Sequence, residues 1–129
     1  MGLSGKKAVV FGGTSGIGLA AALLLAKNGA EVTAVSRKPD KAGTLPSGVS
    51  LRACDVLDRS AVEAVFSELS PIDILVTAAT GGKRTFGPFL EMDMDGYKGS
   101  FDKLWGYANV VRYGAKHVTD GGSITLVSG

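Results

Sequence analysis

The chain has 129 residues, 45% apolar and 20% charged, a balance that builds a hydrophobic core and excludes an intrinsically disordered segment. Its net charge of +2 is spread along the sequence, which argues against the concentrated basic footprint of a nucleic-acid binder. No apolar run approaches the roughly 18 residues of a membrane span, and the run over 8–11 breaks into Gly12-Gly13 too early for a signal peptide.

Strand and helix signals alternate from end to end, the pattern of a parallel α/β sheet. The first strand is expected at Lys7–Phe11 and the first helix at 16–28, closed by Gly29. A second strand follows at 31–35, then a Pro/Gly/Ser loop over 38–48 and a third strand at Val49–Ala53. Arg59–Leu69 is helical in period, with Val62, Val65, Phe66 and Leu69 on one face and Asp58 as N-cap. The fourth strand, 72–78, is apolar on almost every residue except Asp73, as expected when both faces are covered. A loop over 80–87 carries Lys83 and Arg84. The spacing of Phe101, Leu104, Trp105, Ala108, Val111, Ala115 and Val118 predicts one long helix over 97–118. Gly106 and Gly114 within it allow close packing, and Gly121-Gly122 turns into a last strand at 123–127.

The most informative segment runs from Val9 to Gly18. An apolar strand enters a glycine turn that opens a helix, with Gly12, Gly16 and Gly18 spaced as G-x-x-x-G-x-G. Gly12 suits the tight turn, Gly16 lets the main chain approach a pyrophosphate, and Gly18 lets the helix sit close to the sheet. The helix N-terminus then offers free N–H groups and its positive dipole end to the phosphates. Ser15 can bond a phosphate or cap the helix.

Cofactor choice follows from charge at the end of the second strand. A carboxylate there would hold the ribose hydroxyls of NAD and repel the 2′-phosphate of NADP. The sequence instead reads Ser36-Arg37-Lys38, a donor and two cations, which predicts NADP(H) over NAD(H). One cysteine, Cys54, excludes an internal disulfide and fits a reducing cytoplasm. With His117 the only histidine, neither a metal site nor His-based nucleophilic catalysis is expected.

Taken together, these segments resemble the short-chain dehydrogenase/reductase family, a Rossmann-type group of NAD(P)-dependent oxidoreductases. The resemblance rests on the glycine loop and on Asn28-Gly29-Ala30-Glu31-Val32, Cys54-Asp55-Val56-Leu57-Asp58, Asp73-Ile74-Leu75-Val76 and Gly121-Gly122-Ser123-Ile124. It implies a doubly wound parallel sheet of about five strands, with residues 1–129 as a single NAD(P)-binding domain. It also implies that Asp55 accepts the adenine amino group and Val56 lines the adenine pocket. Thr14, Ser15, Ile17, Ala78 and Ala79 join the glycines around the cofactor. The whole enzyme would act on a small carbonyl or alcohol and assemble as a homodimer or homotetramer, with neither nucleic acid nor membrane as partner.

The catalytic part departs from the family. Its Tyr-x-x-x-Lys pair, in which the Lys lowers the Tyr pKa for proton transfer, is absent: Tyr97 is followed four later by Phe101, Tyr107 by Val111 and Tyr113 by His117. The motif after strand four reads Thr77-Ala78-Ala79-Thr80, and Lys103 replaces the helix asparagine that holds a relay water. The two serines ending strand five align with Ser128 and Gly129, which puts glycine at the catalytic position. A shifted alignment would make Ser128 the catalytic serine. Ending just past an apolar strand, the chain reads as a piece of a longer product, with Ile124 and Leu126 on an uncovered edge. Two functions stay open: the NADP(H)-binding portion of an oxidoreductase, inactive by itself, or a non-catalytic NADP(H) sensor or scaffold. An inert remnant is a third possibility.

Overall fold

The computed structural model describes residues 2–80 and 84–128. Strands β1 (Lys7–Phe11), β2 (Glu31–Ser36), β3 (Val49–Ala53), β4 (Ile72–Thr77) and β5 (Val118–Leu126) form one parallel sheet in the order β3-β2-β1-β4-β5. The chain winds outward from β1 to β3, then returns to β4 and winds the other way. Such a reversal opens a crevice at the carboxyl ends of β1 and β4. Helix α1 (Gly16–Lys27) covers one face, and α2 (Arg59–Leu69) and α4 (Asp102–Gly114) cover the other; α3 (Met94–Gly99) is a short preliminary turn. This is the doubly wound Rossmann-type α/β fold.

Period-two alternation along β1 feeds both faces. Val9 and Phe11 join Val35, Leu75, Val62, Val65, Phe66 and Val110 under α2 and α4, while Ala8 and Val10 join Val32, Val76 and Ala22 under α1. Phe11 meets Phe66 with ring centroids 5.5 Å apart. Each such large side chain contributes about 1.5–3 kcal/mol by leaving water. The two faces are unequal: one is built on aromatic and branched residues, the other chiefly on alanine and valine.

Local chemistry fixes the helix ends. The Asp58 carboxylate accepts the Ala61 N–H at 3.1 Å and caps α2, as its sequence predicts. At the end of α1, Gly29 takes φ +99° while its N–H bonds the Ala26 carbonyl and the Ala30 N–H reaches back to Leu25. This pair of bonds is the Schellman closure for which glycine is suited.

Two expectations are corrected. The helix predicted over 97–118 is three pieces: α3, then α4, then a 3-10 turn at Ala115–His117. Asp93 caps α3 early by accepting the Asp95 and Gly96 N–H groups, and the Ser100 hydroxyl donates to the Gly96 carbonyl at the break. Glycine ends both helical pieces. The last strand also begins at Val118 rather than 123, because Val118 pairs with Ile72. Between the pairs Ile72↔Val118 and Ile74↔Ser123, two steps along β4 match five along β5, so Gly121-Gly122 lies in a bulge inside the strand.

Candidate cofactor-binding site

A crevice of about 520 Å³ opens along the carboxyl ends of the strands, where the sheet order reverses. The glycine loop forms its floor. A Cβ on Gly12 would lie 2.6 Å from the Ala79 amide nitrogen, and one on Gly18 would run into the Gly12 carbonyl oxygen. Loop, helix and β4 end therefore approach as closely as backbones can. Gly16 differs: it takes φ +53°, and nothing lies within 4 Å of the position of a Cβ. It lines the crevice. The Ser15 side chain makes no capping bond, and the first turn of α1 has no acidic residue. The positive end of α1 is thus left for an anion.

The wall at the end of β2 carries Ser36 and Arg37. Arg37 is exposed, and the buried Ser36 hydroxyl has no hydrogen-bond partner among the described residues. Lys38, expected at the cofactor, does not line the crevice; it leads into the 3-10 turn at Pro39–Ala42, whose proline fixes the chain's path away.

At the end of β3, Asp55 both turns the chain and borders the crevice. Its Oδ1 accepts the Leu57 N–H at 2.9 Å, and its Oδ2 has no hydrogen bond among the described residues. Val56 is buried beneath, held by α4: the Asn109 amide donates to the Val56 carbonyl at 2.9 Å, and a Cβ on Gly106 would lie 2.6 Å from the Val56 side chain. Cys54 is buried, and burial pushes its thiol up to about 11, so it stays protonated and inert.

Ala78, Ala79, Thr80, Val127 and Ser128 close the other end with Arg84, Lys103 and Tyr107. The Tyr107 hydroxyl donates to the Val127 carbonyl, and burial holds its pKa above the usual phenol value. Tyr107 therefore works as a neutral tie between α4 and β5. Sequence reasoning assigned no cofactor role to Arg84, Lys103 or Tyr107. Lys103 and Tyr107 stand one helical turn apart, a spacing that could have flagged them once α4 was placed beside β5. Of the expected residues, Gly12, Thr14, Ser15, Gly16, Ile17, Gly18, Ser36, Arg37, Asp55, Val56, Ala78, Ala79 and Ser128 line this one crevice. Lys83 and Gly129 lie outside the described residues. Among those described, no cluster of His, Cys, Asp and Glu could hold a metal, and no helix is long and apolar enough to cross a membrane.

A glycine turn at the switch point of a doubly wound sheet, with a helix N-terminus behind it, defines a dinucleotide-binding fold of the Rossmann type. Comparison with known proteins narrows this. The short chain dehydrogenase family model matches residues 6–129, and the chain belongs to the short-chain dehydrogenase/reductase family. It is 41% identical over 111 residues to glycine betaine reductase ATRR of Emericella nidulans, covering 78% of this chain and 9% of that protein. It is 36% identical over 105 residues to L-xylulose reductase of Mesocricetus auratus, covering 79% and 42%. Among solved structures, BdcA in complex with NADPH superposes with a TM-score of 0.83 at 28% identity, over 98% of this chain and 52% of that one. A further short chain dehydrogenase/reductase family protein gives 0.83 at 30%, over 99% and 57%. The chain thus spans less than half the length of these curated relatives. The family consists of oxidoreductases that bind nicotinamide cofactors.

Proposed function

We propose that this chain is the NADP(H)-binding portion of a short-chain oxidoreductase, which moves hydride between nicotinamide and a small carbonyl or alcohol. The observation that carries the reading is the end of β2, where Ser36 and Arg37 border the crevice and no carboxylate stands. The crevice fits such a cofactor through the open side of Gly16, the uncapped α1 terminus and the unpartnered Ser36 hydroxyl. When bound, the cofactor supplies the hydride. The chain's residues bind and orient it: the glycine loop and Ser15 take the pyrophosphate, Arg37 and Ser36 the 2′-phosphate, and Asp55 and Val56 the adenine. Ala78 and Ala79 leave room for the cofactor at the end of β4. A charge-assisted phosphate contact is worth on the order of 1.5–3 kcal/mol, or roughly ten- to a hundredfold in affinity. Fluorescence titration should therefore show NADPH binding at least about tenfold tighter than NADH, and Arg37→Ala should remove most of the difference. Equal affinities would remove the assignment.

A second reading, a non-catalytic NADP(H) sensor or scaffold, is favoured by one observation. Lys103 stands at the helix position where the family resemblance implies the asparagine that holds a relay water. A positioned proton donor contributes roughly a hundred- to ten-thousandfold, so the chain by itself should show no turnover on a panel of alcohols and carbonyls. Turnover that tracks purified protein would reject that reading and direct attention to Tyr107, Tyr113 or Lys103. We further propose that residues 1–129 act as one cofactor-binding domain, that the chain self-associates, and that it works in the cytoplasm, where Cys54 stays reduced.

A further inference from the structure

The β5 end of the crevice has a chemistry of its own. Lys103 stands one turn before Tyr107 on α4, and its Nζ sits 5.5 Å from the centroid of the Tyr107 ring. The ring is fixed in turn, because its hydroxyl is tied to the Val127 carbonyl and the Val127 N–H bonds the Thr77 carbonyl at 3.0 Å. The ammonium is therefore held against an aromatic face at the edge of the crevice rather than swinging freely in solvent. Arg84 borders the same crevice from the loop after β4, its guanidinium 5.5 Å from the Phe86 ring. Neither cation has a carboxylate within ion-pair distance among the described residues. Asp55 is the one acidic residue among those that line the crevice, and its Oδ1 is engaged with the Leu57 N–H.

Two cations that border one crevice without a carboxylate partner among the described residues, each set over an aromatic ring, favour an anion there. The phosphates of a dinucleotide are already provided for by the α1 terminus and, in the reading above, by Arg37. We propose that Lys103, assisted by Arg84, makes the β5 end of the crevice a subsite for a small carbonyl compound that carries an anionic group, a carboxylate or a phosphate. Lys103 anchors the anion while Ser128 and the β4 end border the remainder of the molecule. The proposal rests on the cofactor reading for where the reacting carbon lies, but the anion preference belongs to Lys103 and Arg84 themselves.

The test uses the 129-residue chain with and without NADP⁺, and saturation-transfer NMR as readout. The oxo acids pyruvate, acetoacetate and levulinate are each compared with their methyl esters, and dihydroxyacetone phosphate with dihydroxyacetone. At least one anionic member should bind about tenfold or more tightly than its neutral partner, and 0.5 M salt should erode the preference. Lys103→Met, which keeps the stem over the Tyr107 ring, should abolish it, with Arg84→Gln giving a smaller loss. Circular dichroism of each variant reports that the fold is kept. Equal binding of acids and esters, no binding of any anion, or a preference that survives Lys103→Met overturns the proposal. NADPH titration of the unmodified chain stands apart. Cofactor binding without anion discrimination removes the subsite alone, and anion discrimination without cofactor binding removes the cofactor reading alone.

Discussion

The two halves of the sheet, divided at β1, are built differently. On the β2–β3 side every strand pairs in unbroken register, from Lys7↔Glu31 to Phe11↔Val35 and from Val32↔Val49 to Ser36↔Ala53. The connections there are closed by short-range devices: the Schellman end of α1, the Asp58 cap and the Asp55 turn. On the β4–β5 side the register slips at a bulge, and Ile124 and Leu126 of the outer strand are 38% and 50% exposed. Helix α4 likewise turns Leu104 and Trp105 outward at 65% and 60%. Both halves leave apolar side chains exposed, Leu51 at 41% and Leu24 at 61% among them on the first, but only the second joins that surface to a slipped register. The crevice spans both, so the nucleotide-side groups sit on the regular half and the groups proposed to meet substrate on the slipped one.

The regular half should be the more sensitive to small changes. Gly18→Val places a branched side chain against the Gly12 carbonyl, with no flexible atom to yield, and should destabilise the fold by about 3 kcal/mol or more. Gly16→Val meets no atom but must hold φ +53°, a cost of roughly 1–2 kcal/mol. It should keep the fold and lose NADPH, because the new side chain enters the phosphate's path. Thermal melts beside a cofactor titration separate the two cases. A Gly18→Val protein as stable as its parent would mean that the close approach of α1 is not what orders this half. NADPH binding retained by Gly16→Val would move the phosphates elsewhere.

On the slipped half the expectation is association. Leu104, Trp105, Phe101 and the β5 edge offer apolar surface of the kind that pairs between copies. Light scattering across a concentration series should show dimers or larger species. Replacing Leu104 and Trp105 together by serine should weaken assembly by about tenfold or more, since each buried side chain of this size contributes roughly 1.5–3 kcal/mol. A reversible monomer at high concentration would erase this difference between the halves.

The same contrast explains what could be read in the sequence. β1, β3 and α2 have the predicted bounds, because strand periodicity, a carboxylate cap and an apolar face are local signals. The glycine loop and the Ser36-Arg37 pair at the end of β2 stood out by local pattern, whereas Asp55 and Val56 at the end of β3 came only from the family resemblance; all of them line the crevice. Helix α4 was legible as a helix but not in its extent or packing. Its strongest apolar periodicity, through Leu104, Trp105 and Ala108, marks the outward face, while Gly106, Tyr107, Val110 and Gly114 are the buried residues. Only the placement of Val56 and Phe66 against Gly106 and Gly114 reveals this, and those partners are distant in sequence. The start of β5 was hidden likewise, since Val118 continues the helical spacing but pairs with Ile72. Arg84, Lys103 and Tyr107 come together only through that long-range packing.

The smallest predicted effect concerns what holds the slipped half to β1 at the opposite end of the sheet. The Asp73 carboxylate, at the start of β4, accepts the Lys7 backbone N–H at 2.9 Å and the Thr119 hydroxyl at 3.0 Å, and so joins β1, β4 and β5. The Lys7 bond first, then the Thr119 bond, holds its pKa below the ordinary value of 3.8; burial opposes them, and the charges of Lys6 and Lys7 add the least. With the folded-state pKa lowered, the contribution to stability is fully present above the unfolded-state value. It disappears as pH falls through 3.8 and on through the folded-state pKa. Asp73→Asn keeps the shape but removes the charge and sets an amide N–H against one of the donors. The melting temperature of the variant should lie below that of the parent at neutral pH, by a gap that narrows as pH falls below about 4. A gap that stays constant over that range would mean that the ionised carboxylate contributes nothing. The β4–β5 half would then be held at this end by strand pairing alone.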